Sequence, residues 1–121
     1  MTRHFSRWLS KTDLSVEALC NAIEEMERGL VDANLGGGIM KKRVALPGRG
    51  KGGSARSLVA TNNLNRWFFL FGFEKNERDN ISPKALTALK AVAADLLRLG
   101  VAQLEAAVAA KTLQEMICHE N

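Results

Sequence analysis

Arg56-Ser-Leu-Val-Ala-Thr61, Asn62-Asn-Leu-Asn65 and Arg66-Trp-Phe-Phe-Leu-Phe-Gly-Phe73 read as a strand, a turn and a second strand. The asparagines between the arms suit turn backbone. The second arm is apolar on both faces, so it is expected to be a central strand, covered by helix on at least one side. Most of Phe68, Phe69, Phe71 and Phe73 are therefore expected in the core, with Trp67 and Phe73 at the strand ends partly exposed. Upstream, Ile39 to Leu46 alternates Met40, Val44 and Leu46 against Lys41, Arg43 and Ala45. That alternation predicts a strand with one buried and one wet face, Lys41 and Arg43 sharing the wet one. Lys42 falls on the apolar side and is expected to reach water from a sheet edge. Asn34 to Gly38 reads as a turn, and Pro47 to Ser54 as a loop carrying Arg49 and Lys51 at its tip.

Helices flank these strands. Ser15 has the chemistry of an N-cap, with Glu17 in the first turn and Leu19, Ile23, Met26 and Leu30 at helical spacing. Gly29 is a C-cap candidate, so this helix should run from about Val16 to Arg28. Its exposed Glu24, Glu25 and Glu27 belong away from a basic surface, which places the helix on the other face of the sheet or across it. Ser82-Pro83 starts a further helix that Gly100 ends, and an alanine-rich one follows from about Val101. A helix, three antiparallel strands and then helices give the α+β class, with the helices segregated from an antiparallel sheet. The chain of 121 residues is read as one domain, with a core over about residues 5–98 and a helical extension over about 101–118.

Charge is unevenly distributed. Residues 33 to 73 hold no acid but seven cations, Lys41, Lys42, Arg43, Arg49, Lys51, Arg56 and Arg66. The whole chain is +4, so the remainder is −3, and the basic character is a local patch. Such a patch suits a polyanion, and several cations acting together suit the phosphates of nucleic acid. Gly48-Arg-Gly-Lys-Gly-Gly53 is not read as a nucleotide loop, because Pro47 precedes it and a strand, not a helix, follows. The two histidines, His4 and His119, lie near the ends, so no histidine general base is expected in the basic region. Cys118-His119 does not make a metal site, and neither metal nor cofactor is expected. Cys20 and Cys118 read as two isolated thiols of a reducing compartment, a disulfide between them being the less favoured state. With no apolar run fit for a signal peptide or a membrane span, the expected location is cytoplasmic.

Phe71-Gly-Phe-Glu-Lys-Asn-Glu-Arg-Asp-Asn-Ile81, together with Glu27 to Gly38 and the glycine-rich loop leading to Arg56, resembles the RelE/HigB-like toxins of type II toxin–antitoxin systems. The similarity spans roughly residues 5 to 98, and its Gly-Phe-x-Lys-Asn-Glu-Arg-x-Asn-Ile block is its most specific part. The resemblance implies the RelE/ParE-like fold, a small curved antiparallel sheet with helices packed on one side. It implies a ribosome-dependent endoribonuclease that cuts mRNA by helping a ribose 2′-OH attack the adjacent phosphate. A ParE-like inhibitor of DNA gyrase and a degenerate RNA- or ribosome-binding protein are the alternatives.

Carried over by position, the resemblance implies Arg56 as the phosphate clamp, with Lys75 or Arg78 protonating or stabilising the leaving oxygen. Lys41 and Arg43 would neutralise the RNA backbone, while Arg49, Lys51, Arg66 and Asn76 complete the RNA-binding set. Ala55 stands where the family usually has an aromatic residue before the Arg, and Phe71 where Tyr is common. The missing ring at Ala55 is expected to weaken base positioning. Expected partners are mRNA, the ribosome and an acidic cognate antitoxin, with no membrane and no small-molecule cofactor.

Overall fold

The computed structural model describes residues 1–46, 54–74 and 80–118. Its elements are α1 (Arg3–Leu9), α2 (Val16–Glu27), β1 (Ala33–Gly36), β2 (Ile39–Ala45), β3 (Ser54–Thr61), β4 (Trp67–Glu74), α3 (Pro83–Leu97) and α4 (Val101–Ala109). Ser15 Oγ accepts from the Ala18 amide at 3.1 Å and Ser82 Oγ from the Ala85 amide at 3.2 Å, so both anticipated N-caps are in place. The four strands form one antiparallel sheet in the order β1-β2-β3-β4. The α+β class expected from the element order is the class observed.

Two elements were not anticipated. The first is α1, too short at 7 residues to be stable alone, which is held by its surroundings. Thr2 caps it, accepting from the Phe5 amide at 3.1 Å, and the Thr2 amide donates to Phe69 O at 3.1 Å. The second is β1, hidden in the glycine-rich segment. Gly36, Gly37 and Gly38 have φ of +83°, +62° and +82°, left-handed backbone that suits glycine. This turn brings Ala33 and Asn34 back beside Lys41 and Met40.

β4 is an edge strand, not a central one. Its apolar faces are explained by helices on both sides. Phe69 packs with Phe5 of α1, Leu19 and Met26 of α2, and Met40, Val44, Ala55 and Val59 of the neighbouring strands. On the opposite face, Phe68 and Leu70 pack with Ile39, Leu58, Ala60 and Ala93 of α3, and Leu104 and Ala107 of α4 pack against this second core. A Cβ on Gly72 would fall 2.4 Å from the Trp8 ring, so α1 lies on β4 at a distance only glycine permits.

Two side-chain expectations are corrected. Lys42 does not reach water from an edge. It is 8 % exposed beneath α2, with Nζ 2.8 Å from Glu25 Oε1. Nor are the cysteines free thiols, because Cys20 and Cys118 form a disulfide with a Cα–Cα distance of 5.4 Å. The cysteines therefore do not point to a reducing compartment. The disulfide ties α2 to the C-terminal segment, where the Gln114 amide donates to Met1 O at 2.8 Å. Among the described residues no helix is long and apolar enough to cross a membrane.

Candidate nucleic-acid interface

The pleat of β2 turns three consecutive cations into two kinds. Met40 and Val44 face α2 with Lys42, so Lys41 and Arg43 project from the opposite face. On β3, Ala55 faces the α1/α2 core, and its neighbour Arg56 therefore shares the face of Lys41 and Arg43. The register then sets these side chains together. Arg43 pairs with Arg56 and Arg56 with Phe73, giving one row across three strands. Lys41, Leu58 and Phe71 form the next row. Neighbouring strands lie about 4.8 Å apart, so each row is compact enough for one ligand to touch all its members.

A bulge completes the arrangement. Leu58 pairs with Phe71 but Val59 with Phe69, which leaves Leu70 as the extra residue of β4. The extra residue changes the parity of the strand. Phe71 and Phe73 thereby join the face of Arg56, while Phe69 stays in the opposite core. The second core reaches Leu58, and Arg56 is the next position of β3 on that face.

Each cation is held differently. Arg56 is half-buried, and its Nη1 donates to Ser54 Oγ at 2.7 Å and to Ser54 O at 3.4 Å. Those contacts fix the guanidinium on β3 and leave its remaining N–H groups for a ligand. Arg43 is more exposed, with Nη2 3.9 Å from Asp32 Oδ1 and its amide donating to the same carboxylate. An exposed pair at that distance is weak, and a phosphate can replace it. Lys41 is half-buried and makes no ion pair among the described residues.

The remaining candidates are placed elsewhere or lie beyond view. Arg66 sits at the far end of the hairpin, with Nη1 3.5 Å and 3.4 Å from the carbonyl oxygens of Leu96 and Leu97. It therefore stabilises the C-terminus of α3 instead of joining the Arg43–Arg56 row. Arg49, Lys51, Lys75, Asn76 and Arg78 lie outside the described residues. Ala55 is fully buried in the α1/α2 core, so a ring there would enter the core and not the basic face. Its smallness removes no stacking surface beside Arg56. Phe73 is 2 % exposed, whereas Phe71 and Trp67 are the partly exposed rings.

Sequence reasoning missed His4. Its ring stacks on Phe71, with centroids 5.2 Å apart and an interplanar angle of 8°. Phe71 in turn lies 6.1 Å from Phe73. The available signal was the Thr2 cap followed by Phe5, Trp8 and Leu9 at helical spacing.

This face can bind phosphate through a cation held by Ser54 and two less restrained ones, and can offer a ring to a base. The family model described as the RelE toxin of the RelE/RelB toxin–antitoxin system matches residues 1–116 of the chain. Neither the curated proteins nor the solved structures contain a match.

Proposed function

The chain belongs to the RelE family of toxins of toxin–antitoxin systems, and from that premise we propose that it arrests translation by cutting mRNA on the ribosome. The observation that carries this reading is the cross-strand pairing of Arg43 with Arg56, beside Phe73 and next to the Lys41–Phe71 row. Two cations on adjacent strands suit a single phosphate that gains charge during reaction. In the reaction the ribose 2′-oxygen bonds to phosphorus, its proton passes to solvent water, and the bond from phosphorus to the 5′-oxygen breaks, leaving a 2′,3′-cyclic phosphate. Arg56 holds a non-bridging oxygen through the N–H groups that Ser54 leaves unused. Arg43 and Lys41 balance the adjoining backbone charge, and Phe71 supports a base. Lys75 gives its proton to the departing oxygen, which Arg78 stabilises, and Arg49, Lys51 and Asn76 add affinity. Such preorganised charge acts without a histidine in the basic rows.

An acidic antitoxin silences the protein by covering this face, and its site of action is the cytoplasm, where ribosomes are. The test is primer extension on mRNA incubated with purified ribosomes, comparing wild type with Arg56→Ala. Cuts that require both ribosomes and Arg56 are the expected result. Intact mRNA together with inhibited DNA supercoiling by gyrase would replace this reading with the ParE-like one. Ribosome binding without any cut would reduce the protein to a binding module.

A further inference from the structure

The first twelve residues contain Arg3, His4, Arg7 and Lys11 and no acid. In the structure these residues are brought against β4, beside the face already described. A cleft of about 360 Å³ opens there, lined by His4, Arg7, Trp8 and Lys11 from α1 and the turn after it, and by Phe71 and Phe73 from β4. His4, Arg7 and Lys11 are exposed, and neither Arg7 nor Lys11 forms an ion pair with a described residue. Arg3 faces the other way, its Nη2 donating to Lys111 O at 3.2 Å. Among the described residues of β4, Glu74 is the acid, and its Oε2 accepts from Thr12 Oγ1 at 3.5 Å.

Phe73 belongs both to this cleft and to the row containing Arg56. The rings run on from it, Phe73 to Phe71 at 6.1 Å and Phe71 to His4 at 5.2 Å. From β2 the path crosses the sheet through Arg43, Arg56 and Phe73, turns along β4 to Phe71 and continues to His4, beside which Arg7 and Lys11 line the cleft. Cations stand at both ends of this run, in which Phe73 is buried, Phe71 is half-buried and His4 is exposed. Single-stranded nucleic acid is bound by this combination of backbone cations and base-stacking rings. An acidic peptide would use the cations but gains little from a parallel His–Phe stack.

We propose that the α1–β4 cleft is a second contact site for single-stranded RNA, in which Arg7 and Lys11 hold phosphates and the His4–Phe71 stack supports a base of the strand that also crosses Arg56. The proposal rests on the RNA-cleaving reading above and extends that site across the edge of the sheet. It makes α1 a guide for one flank of the substrate rather than only a cover for β4.

The experiment is fluorescence anisotropy with a labelled single-stranded RNA, 2′-O-methylated throughout so that it cannot be cut, titrated over a range of salt concentrations. Wild type is compared with Arg7→Glu/Lys11→Glu, with the conservative Arg7→Lys/Lys11→Arg, and with Arg56→Ala. Circular dichroism and thermal melting confirm that each variant is folded. The charge reversal is expected to weaken binding at least tenfold, and the slope of log K against log salt should fall by about 0.7 per lost phosphate contact. The conservative variant should bind like wild type. Unchanged binding by the folded reversal variant, with Arg56→Ala impaired, would overturn the proposal and leave the cleavage reading standing. A reversal that spares RNA binding but abolishes binding of polyglutamate would overturn it in favour of a protein partner. Absence of any RNA binding by wild type would also overturn it, and ribosome-dependent cleavage then decides separately whether the function survives.

Discussion

The two faces of the sheet use the same residue types for opposite ends. On the face beneath α1 and α2, Lys42 is enclosed and matched by Glu25, and Ala55 fills core space. On the other face their immediate neighbours, Arg43 and Arg56, stand together, and among the described residues the 3.9 Å pair with Asp32 is what restrains the Arg43 guanidinium. A run of like charges such as Lys41-Lys42-Arg43 is therefore not one functional patch. The pleat separates it into a structural cation and two cations available to a ligand, and what each contributes depends on the face it occupies.

Breaking the outward face should give the largest effect. Arg56→Ala is expected to lower ribosome-dependent cleavage by about 10²–10³-fold, the scale of losing one preorganised charge-stabilising donor. Its stability should stay within about 0.5 kcal/mol of wild type in urea denaturation, as befits a residue outside the core. The inward face should respond in the opposite way. Cys118→Ser releases a disulfide that closes 98 residues of sequence separation, and a loss of about 2–4 kcal/mol is expected in urea denaturation. Its cleavage rate per folded molecule should be unchanged.

Gly72→Ala tests the seating of α1. The added methyl meets the Trp8 ring at 2.4 Å, and overpacking of this kind destabilises by about 1–3 kcal/mol. A lower melting temperature and faster amide exchange at Thr2 and Phe5 would register it. The smallest effect belongs to the ion pair. Glu25→Gln leaves Lys42 without its carboxylate, but the Glu25 side chain is 44 % exposed, so water offsets much of the loss. About 1 kcal/mol of stability is expected, read in urea denaturation, with no change in the salt dependence of RNA binding.

The sequence was most legible where a local signal and a burial pattern agreed. Ser15 and Ser82-Pro83 announced their helices, and the alternation in β2 put Lys41 and Arg43 on one face. It was least legible where tertiary context decides. An apolar run such as Trp67 to Phe73 reads as central whether its cover is other strands or helices, and here α1 supplies the cover at an edge. α1 is too short for a periodic pattern to stand out, and with it the contact of His4 with Phe71 was lost. Strand β1 was obscured because its glycines signal only the turn.

Within the candidate site, Lys41 and Arg43 could be grouped from alternation alone, because period-two patterning fixes the face, whereas Arg56 joins them only through the pairing of β2 with β3. Register and the Leu70 bulge could not be read, since they depend on which residue pairs with which. Ala55 shows the consequence. Read by position along the chain it seemed to lack a stacking ring, but across the sheet it belongs to the other face. Arg66 looked like one more cation, yet its partners are carbonyls thirty residues away at the end of α3.

The most direct test compares cleavage of mRNA on programmed ribosomes by Arg43→Ala/Arg56→Ala and by Lys42→Met, each corrected for its folded fraction. The double variant is expected to lose at least about 10²-fold while Lys42→Met keeps the wild-type rate. Loss of cleavage in folded Lys42→Met, or its retention in the double variant, would contradict the division of labour between the two faces.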